Sequence, residues 1–350
     1  MSVRSLLQRL VRALLTVVLA GGLLASAGAE GGERPSSFHF ALLGDVPYTD
    51  AEERWFLGLI ETLNADETLA FVVHDGDFKD GHSPCTDELF RRRHAQFQTV
   101  AHPLIYVFGD NEWTDCHREE AGRYEPVERL NKLREIFASG RESLGKRTLP
   151  LSRQSDDPRH RKFRENVRWS YGNVLFVGLN VPGSHNNLAQ RREYEERNAA
   201  NAVWLRESFR LATESGKSGV MVIIHANPKF PSPGASPKRN PYGALLAALE
   251  REVRAFGKPV VLVHGDTHHF RLDQPMFDSQ NGQRIGNFTR VETFGTPDVR
   301  WIKSTVDVLD PKVFRFEPVG VGGAPLVGPP PTLMDQGNRS PTTGFPTPSQ

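Results

Sequence analysis

The sequence predicts an α/β fold with two packed sheets flanked by helices, and three observations lead there. Short apolar runs rich in β-branched and aromatic residues recur along the middle of the chain. They are continuously apolar rather than alternating, which suits strands buried on both faces. Stretches of helical spacing separate the earlier runs, whereas after His264 strand-like runs follow one another with only tight turns between them.

Taken in chain order, the first residues read as an export leader. Arg4, Arg9 and Arg12 give a positive start, and residues 13–24 form an apolar run short for a bilayer span. Either Ala25-Ser26-Ala27 or Ala27-Gly28-Ala29 offers a small-residue cleavage site. Residues 1–29 are therefore expected to be a signal peptide, with an uncleaved membrane anchor as the alternative. The mature chain is expected to be periplasmic or secreted and to lack a transmembrane span.

Strands are expected at 38–43, 69–74, 103–108, 174–179, 220–225 and 259–264. Between them, 51–63 places Trp55, Leu59 and Leu63 on one side of a helix, and 86–100 and 127–137 behave similarly. Residues 188–213 form a long charged stretch free of Gly and Pro. Residues 139–165 are polar and aperiodic, a long surface insertion. The later strands are expected at 287–294, 299–309 and 312–318. Beyond them Gly, Pro, Ser and Thr dominate, with Pro329-Pro330-Pro331 at the centre. That composition buries too little apolar surface to repay its ordering entropy, so 319–350 is expected to be a disordered tail and 37–318 the folded domain.

The 350 residues suffice for one large core. Lys+Arg 43 against Asp+Glu 42 leaves a formal charge of +1. No global field draws such a chain to nucleic acid, and no basic stripe with interleaved aromatics is visible, so no stable nucleic-acid complex is expected. Affinity for phosphate has to be local.

Nearly every apolar run ends directly in residues of metal-ligand type. The first ends in Gly44-Asp45, the second in His74-Asp75-Gly76-Asp77 and the third in Gly109-Asp110-Asn111-Glu112. A later run ends in His225, and the next in His264-Gly265-Asp266-Thr267-His268-His269. In α/β sheets, loops at the carboxyl ends of strands converge on the site. Each ending alone is more often a helix cap or turn; the ordered series is what points to a site.

That series resembles the calcineurin-like metallophosphoesterases, whose motifs are Asp-x-His, Gly-Asp, Gly-Asn-His-Asp/Glu, a lone His and Gly-His-x-His. The resemblance implies two mixed β-sheets packed face to face with helices outside. By position it implies a dinuclear metal site in which Asp45 binds the first ion, Asp77 bridges both, and Asp110 and His225 bind the second. Asp266 and His268 take the places of the two histidines of the last motif. The implied reaction is hydrolysis of a phosphate ester by a hydroxide held between the two ions.

Three departures mark this chain. Pro47 stands where the first motif has histidine, Asn111 replaces the histidine that assists the leaving group, and Asp266 replaces another. The resulting oxygen-rich set favours Mn, Fe or Mg over Zn. Four carboxylates against two divalent ions leave a nearly neutral site, which favours a diester or anhydride over a dianionic monoester. If Pro47 weakens the first position, a single ion is the alternative, with His74 or water filling the gap. Asn111 could still donate to the phosphoryl group, and His269, His185 or Glu112 could act as the acid. Asn180, His185 and Arg168 are candidate substrate contacts, although a solvated basic face also explains Arg168. Cys85 and Cys116 each follow a carboxylate motif and are expected to form a disulfide, with thiolate ligation as the alternative. The rival function is a phosphoesterase scaffold that has lost chemistry and binds a ligand or partner.

Overall fold

The structure, a computed structural model, describes residues 35–231 and 240–321. The expected leader and almost all of the expected tail lie outside them. In chain order the elements are β1 (Ser37–Leu43), α1 (Asp50–Ala65), β2 (Leu69–His74), α2 (Asp87–Phe97), β3 (Leu104–Tyr106) and α3 (Pro126–Phe137). Then come β4 (Ser152–Arg153), β5 (Val167–Tyr171), β6 (Val174–Gly178), α4 (Arg191–Glu214), β7 (Gly219–Ile223), α5 (Gly243–Phe256) and β8 (Val260–His264). The chain continues with β9 (Arg271–Asp273), β10 (Phe288–Glu292), β11 (Trp301–Asp307) and β12 (Phe314–Val319).

One sheet has the order β12-β11-β1-β2-β3 and the other β4-β5-β6-β7-β8-β10-β9. Parallel pairing joins β1, β2 and β3 in the first sheet, where β3 is one edge, and β6, β7, β8 and β10 in the middle of the second. Antiparallel strands extend the edges. The two-residue period of a strand then sorts side chains into layers. Phe40, Leu42, Phe71, Val73 and Ile105 of the first sheet face Phe176, Met221, Ile223, Val261 and Val263 of the second. Their alternates turn outward: Ala41, Leu43 and Val72 meet α1 to α3, while Val177, Val222 and Leu262 meet α4 and α5. The result is helix, sheet, sheet, helix.

Local sequence explains the helices. Thr49 caps α1 by accepting from the Glu52 amide, Asp50, Glu52 and Glu53 suit the positive helix end, and Phe56, Leu59, Ile60 and Leu63 form the buried stripe. Truncating one such side chain, as in Leu59→Ala, costs about 2–5 kcal/mol.

The expected strands and helices of the first sheet and of 174–264 are present within a few residues. Three features differ. Helix α5 was missed, although Leu245, Leu249, Val253 and Phe256 have helical spacing and Gly257 closes the helix at φ 67°. Strands β4 and β9 are short strands at the two edges of the second sheet, and β5, between β4 and β6, is partly polar, so all three carry little apolar signal. Residues 139–165 are not merely a surface insertion. They contain β4, bury Leu151, Phe163 and Glu165, and tie to α3 through paired Arg134–Glu165 contacts of 2.8 and 2.6 Å. At the other end Val319 closes β12 and Val321 is buried in the core, so the described fold runs past residue 318. Among the described residues no helix is long and apolar enough to cross a membrane.

Candidate metal centre

The segments that leave β1, β2 and β3 meet those that leave β7 and β8 along one edge, and they bring Asp45, Asp77, Asp110, His225, Asp266 and His268 together. Asp45, Asp77, Asp266 and His268 have φ of 53°, 54°, 75° and 59°, a left-handed backbone that non-glycine residues seldom adopt. Such strain costs on the order of 1–3 kcal/mol per residue and persists where the surroundings enforce it, typically at working sites. Two glycines make the approach feasible: a Cβ on Gly109 would overlap Asp77 Oδ1, and one on Gly265 would overlap Asp45 Oδ2.

Both imidazoles are anchored from behind. His225 Nδ1 lies 3.0 Å from the Asp75 carbonyl and His268 Nδ1 lies 2.9 Å from the Thr296 carbonyl. An N–H at each Nδ1 leaves Nε2 as the free acceptor, which is how metal-binding histidines are held. His225 Nε2 is 2.9 Å from Asp110 Oδ1 and 3.3 Å from Asp77 Oδ2, and His268 Nε2 is 3.3 Å from Asp45 Oδ1. Despite that proximity, His225 Nε2 and Asp110 Oδ1 have no aligned hydrogen-bond partner among the described residues. Asp77 is oriented by backbone: its Oδ1 accepts from the amides of Asp110 and Asn111 at 2.9 and 3.0 Å, so Oδ2 faces the cluster. Asp45 accepts from the Asp266 amide.

The electrostatics are those of a crowded anionic cavity. Burial raises the Asp77 carboxyl, and Asp110 adds to this against the pull of His225. Burial, with Asp110, pushes Asp266 up to about 6. Burial also acts to raise Asp110, but His225 outweighs it and holds that carboxyl low. Burial disfavours protonated His225, yet the charge of Asp77 and the contact with Asp110 lift it well above its ordinary value. For His268 burial is likewise outweighed by Asp45, and it rises to about 9. No lysine or arginine pairs with Asp45, Asp77, Asp110 or Asp266 among the described residues.

The residues fit divalent cations. Asp45, Asp77 and His225 form one group able to hold an ion, and Asp110, His225 and Asp266 another. Four largely buried carboxylates shared between two imidazoles are costly, and an ion with oxygen and nitrogen ligands removes that cost. The two groups share His225, whose single free lone pair serves one ion.

Sequence reasoning missed Tyr48. Its hydroxyl lies 3.0 Å from Asp77 Oδ2 and 3.3 Å from both Asp45 Oδ1 and His268 Nε2, so it stands beside the position that Pro47 leaves without a ligand. Burial, then the charge of Asp77, raises the phenol well above its ordinary value. The signal was a tyrosine three residues after the first carboxylate, reached through the cis Val46–Pro47 bond.

The other candidate residues divide. Both amide hydrogens of Asn111 are engaged, with Tyr48 Oη at 3.0 Å and the Lys79 carbonyl at 3.1 Å, so Asn111 positions Tyr48. Glu112 lies behind the site, accepting from the Gly109 and Asp77 amides and from Tyr106; burial and then Asp77 push it up to about 8. His185 is exposed on a left-handed turn over residues 184–187. That turn adjoins the cluster, because a Cβ on Gly183 would lie 2.8 Å from Asp110 Oδ1. His269 is exposed beside His268. Asn180 and Arg168 stand elsewhere. Asn180 is buried against Glu165 under α4, with its amide 3.3 Å from Oε1. The Arg168 guanidinium stacks 4.0 Å from the Trp204 ring. From α4, Arg197 and Asn201 donate to the Asn180 carbonyl, and Trp204 covers the Arg168 guanidinium.

Cys85 and Cys116 are disulfide-bonded with Cα atoms 5.8 Å apart, and so join the loops after β2 and β3 that carry Asp77 and Asp110. Both sulfurs lie near the Asn111 carbonyl, at 3.6 and 3.7 Å.

No family model matches the chain, and no curated protein matches it. Among solved structures it is similar to one described as GAP50, the anchor in the inner membrane complex of Plasmodium. That match has 13% identity and a TM-score of 0.48, covering 83% of this chain and 87% of that one. It is also similar to PhoD, with 16% identity and a TM-score of 0.50, over 79% of this chain and 65% of PhoD, just under two thirds of that chain's length. The likeness to PhoD shows the fold alone: this chain shares the fold of PhoD.

Proposed function

We propose that the chain is an exported, metal-dependent phosphoesterase of the calcineurin-like kind, acting on diesters or anhydrides. The observation that carries this reading is the pair of backbone-anchored imidazoles aimed at a group of four carboxylates that have no lysine or arginine partner among the described residues. Asp45, Asp77, Asp110, Asp266, His225 and His268 would hold two divalent ions, with Mn, Fe or Mg favoured by the oxygen-rich set. Such ions polarise phosphoryl oxygens and make water acidic enough to attack at neutral pH.

The chain's own groups do the rest. The Asp110 and Asn111 amides fix the carboxylate of Asp77, and Asp75 and Thr296 fix the two rings. Tyr48, held by Asn111, supplies an oxygen or a hydrogen-bond donor where Pro47 supplies nothing. His269, next to His268, and His185, on the turn that follows Gly183, are both exposed and would hold the proton needed by the departing oxygen. Substrates with good leaving groups, which depend least on an acid, should react best. Export is supported by the leader-like start and by the Cys85–Cys116 disulfide, a bond that persists in oxidising compartments.

A second reading, a scaffold that binds phosphate-bearing ligands without hydrolysing them, is favoured by one observation. Asn111 stands at the position of the leaving-group histidine with both of its donors already engaged.

Elemental analysis of the purified protein beside Asp77→Asn, with turnover of a bis-aryl phosphate followed in added manganese, separates the two. The enzyme reading expects metal near two ions per chain and turnover that the substitution abolishes. Bound metal without turnover under any divalent ion leaves the scaffold.

A further inference from the structure

Next to the acidic cluster lies a cavity of about 420 Å³ with the opposite charge. Asn227, Lys229, Phe230, Arg271, Arg284 and Arg290 line it, with Phe277 on the same wall. Asn227 is the partition. Its amide donates to Asp266 Oδ2 at 2.9 Å, and its side chain donates to Thr267 Oγ1 at 3.0 Å, while the residue also faces the cavity. A ligand held at Asp266 therefore has the cavity as its nearest neighbour on that side.

The cations of the cavity are not equivalent. Arg290 is paired with Asp273, its Nε 2.8 Å from Oδ1, and Arg271 is paired with Glu292 at 3.1 Å. Lys229 and Arg284 have no carboxylate partner among the described residues, and both are exposed. Arg284 donates to the Gln274 carbonyl and lies 4.7 Å from the Phe277 ring centroid, which holds its guanidinium over an aromatic face. Two unmatched cations beside two phenyl rings suit a ligand that carries negative charge and a flat apolar group together. Four carboxylates on the other side of Asn227 would repel such an anion unless they held cations, so the two sites complement each other only across a ligand spanning both.

We propose that this cavity is a second substrate subsite. It takes a non-scissile phosphate on Lys229 and Arg284 and a planar ring against Phe277 or Phe230, so that the substrate class is a nucleotide-like phosphoanhydride or diester. This rests on the phosphoesterase reading and deepens it. Hydrolysis is balanced by one water: its oxygen forms the new bond to the scissile phosphorus, the bridging P–O bond breaks, and the water's proton passes to the departing oxygen. The departing phosphate and ring stay in the basic cavity. Guanidinium and ammonium bind phosphate through charge-assisted hydrogen bonds, which gives the two cations most of the affinity.

The test is adenosine diphosphate binding, measured by calorimetry in added manganese on Asp77→Asn and on the same chain carrying Lys229→Gln and Arg284→Gln. The expected result is an affinity about tenfold or more weaker in the second protein, with an unchanged melting curve. Inorganic pyrophosphate should bind more weakly than adenosine diphosphate to the first protein. Equal affinity in the two proteins overturns the subsite. Weaker binding of adenosine diphosphate than of pyrophosphate overturns the place for the ring. With the Asp77 carboxylate intact, the two cavity substitutions should lower kcat/KM for adenosine diphosphate and leave it unchanged for a bis-aryl phosphate. Loss for both substrates alike would overturn a separate subsite. Binding is read without turnover, so a protein that binds adenosine diphosphate through these cations yet hydrolyses nothing fails only the enzyme reading.

Discussion

The acidic cluster and the basic cavity share Asn227, yet they treat charge in opposite ways. In the cluster, three of the four carboxylates sit on left-handed backbones, and the four have imidazoles but no lysine or arginine as partners among the described residues. In the cavity, two arginines are already satisfied by carboxylates, and the two unmatched cations stay exposed, where charge costs little. An unpaired charge in a buried site asks for a specific counter-ion, whereas one in an open site offers attraction at low cost. The difference teaches that burial separates a demand for metal from a preference for substrate.

Substitutions can break this comparison on either side. The largest effect is expected on the buried side: Asp77→Asn should cut turnover by about 10³-fold, a loss of the size seen when a key electrostatic group is deleted, while Asp110, His225 and Asp266 still hold an ion. Steady-state kinetics with elemental analysis checks it. Next, Tyr48→Phe should weaken the first ion by about tenfold, as loss of a group that orients ligands does, read by metal titration of the stripped protein. An unchanged titration would leave Tyr48 only a packing role. Removing the cations at Lys229 and Arg284 should then weaken adenosine diphosphate by about tenfold without affecting metal.

The smallest effect is on stability against pH. In metal-free protein Glu112 is raised from 4.5 to about 8 and His268 from 6.5 to about 9. A raised folded-state pKa favours the fold at low pH and is lost as pH climbs through it. Chelated protein should therefore melt at lower temperature at pH 9 than at pH 6.5, and added metal should raise the melting temperature most at the upper end, where its ligands are deprotonated. Scanning calorimetry with and without chelator checks both slopes; a chelated protein that gains stability over this range contradicts the assignment.

The fold was legible because continuous apolar runs such as 69–74 and 220–225 belong to parallel strands buried on both faces, which helices must cover. Helix α5 was equally amphipathic but passed unassigned beside a Pro-rich stretch. Strands β5 and β9 were obscured because pairing, not apolar content, makes them strands. At the site, the order of strand-terminal Asp and His residues pointed to the six residues that converge. Tyr48 was hidden because its position follows from a backbone turn rather than from a motif. Asn180 and Arg168 looked like substrate contacts because they lie close in sequence to a strand terminus. In the fold their side chains are taken up by Glu165 and by Trp204 of α4.

The most direct test of the central claim is a calorimetric titration of the chelator-stripped protein with manganese at pH 8. The account predicts saturable binding of up to two ions per chain, with protons released as His268 and the raised carboxyls give way. Absence of binding to manganese, iron, magnesium or zinc at millimolar concentration would contradict it, and would leave the four carboxylates without the counter-ions their burial demands.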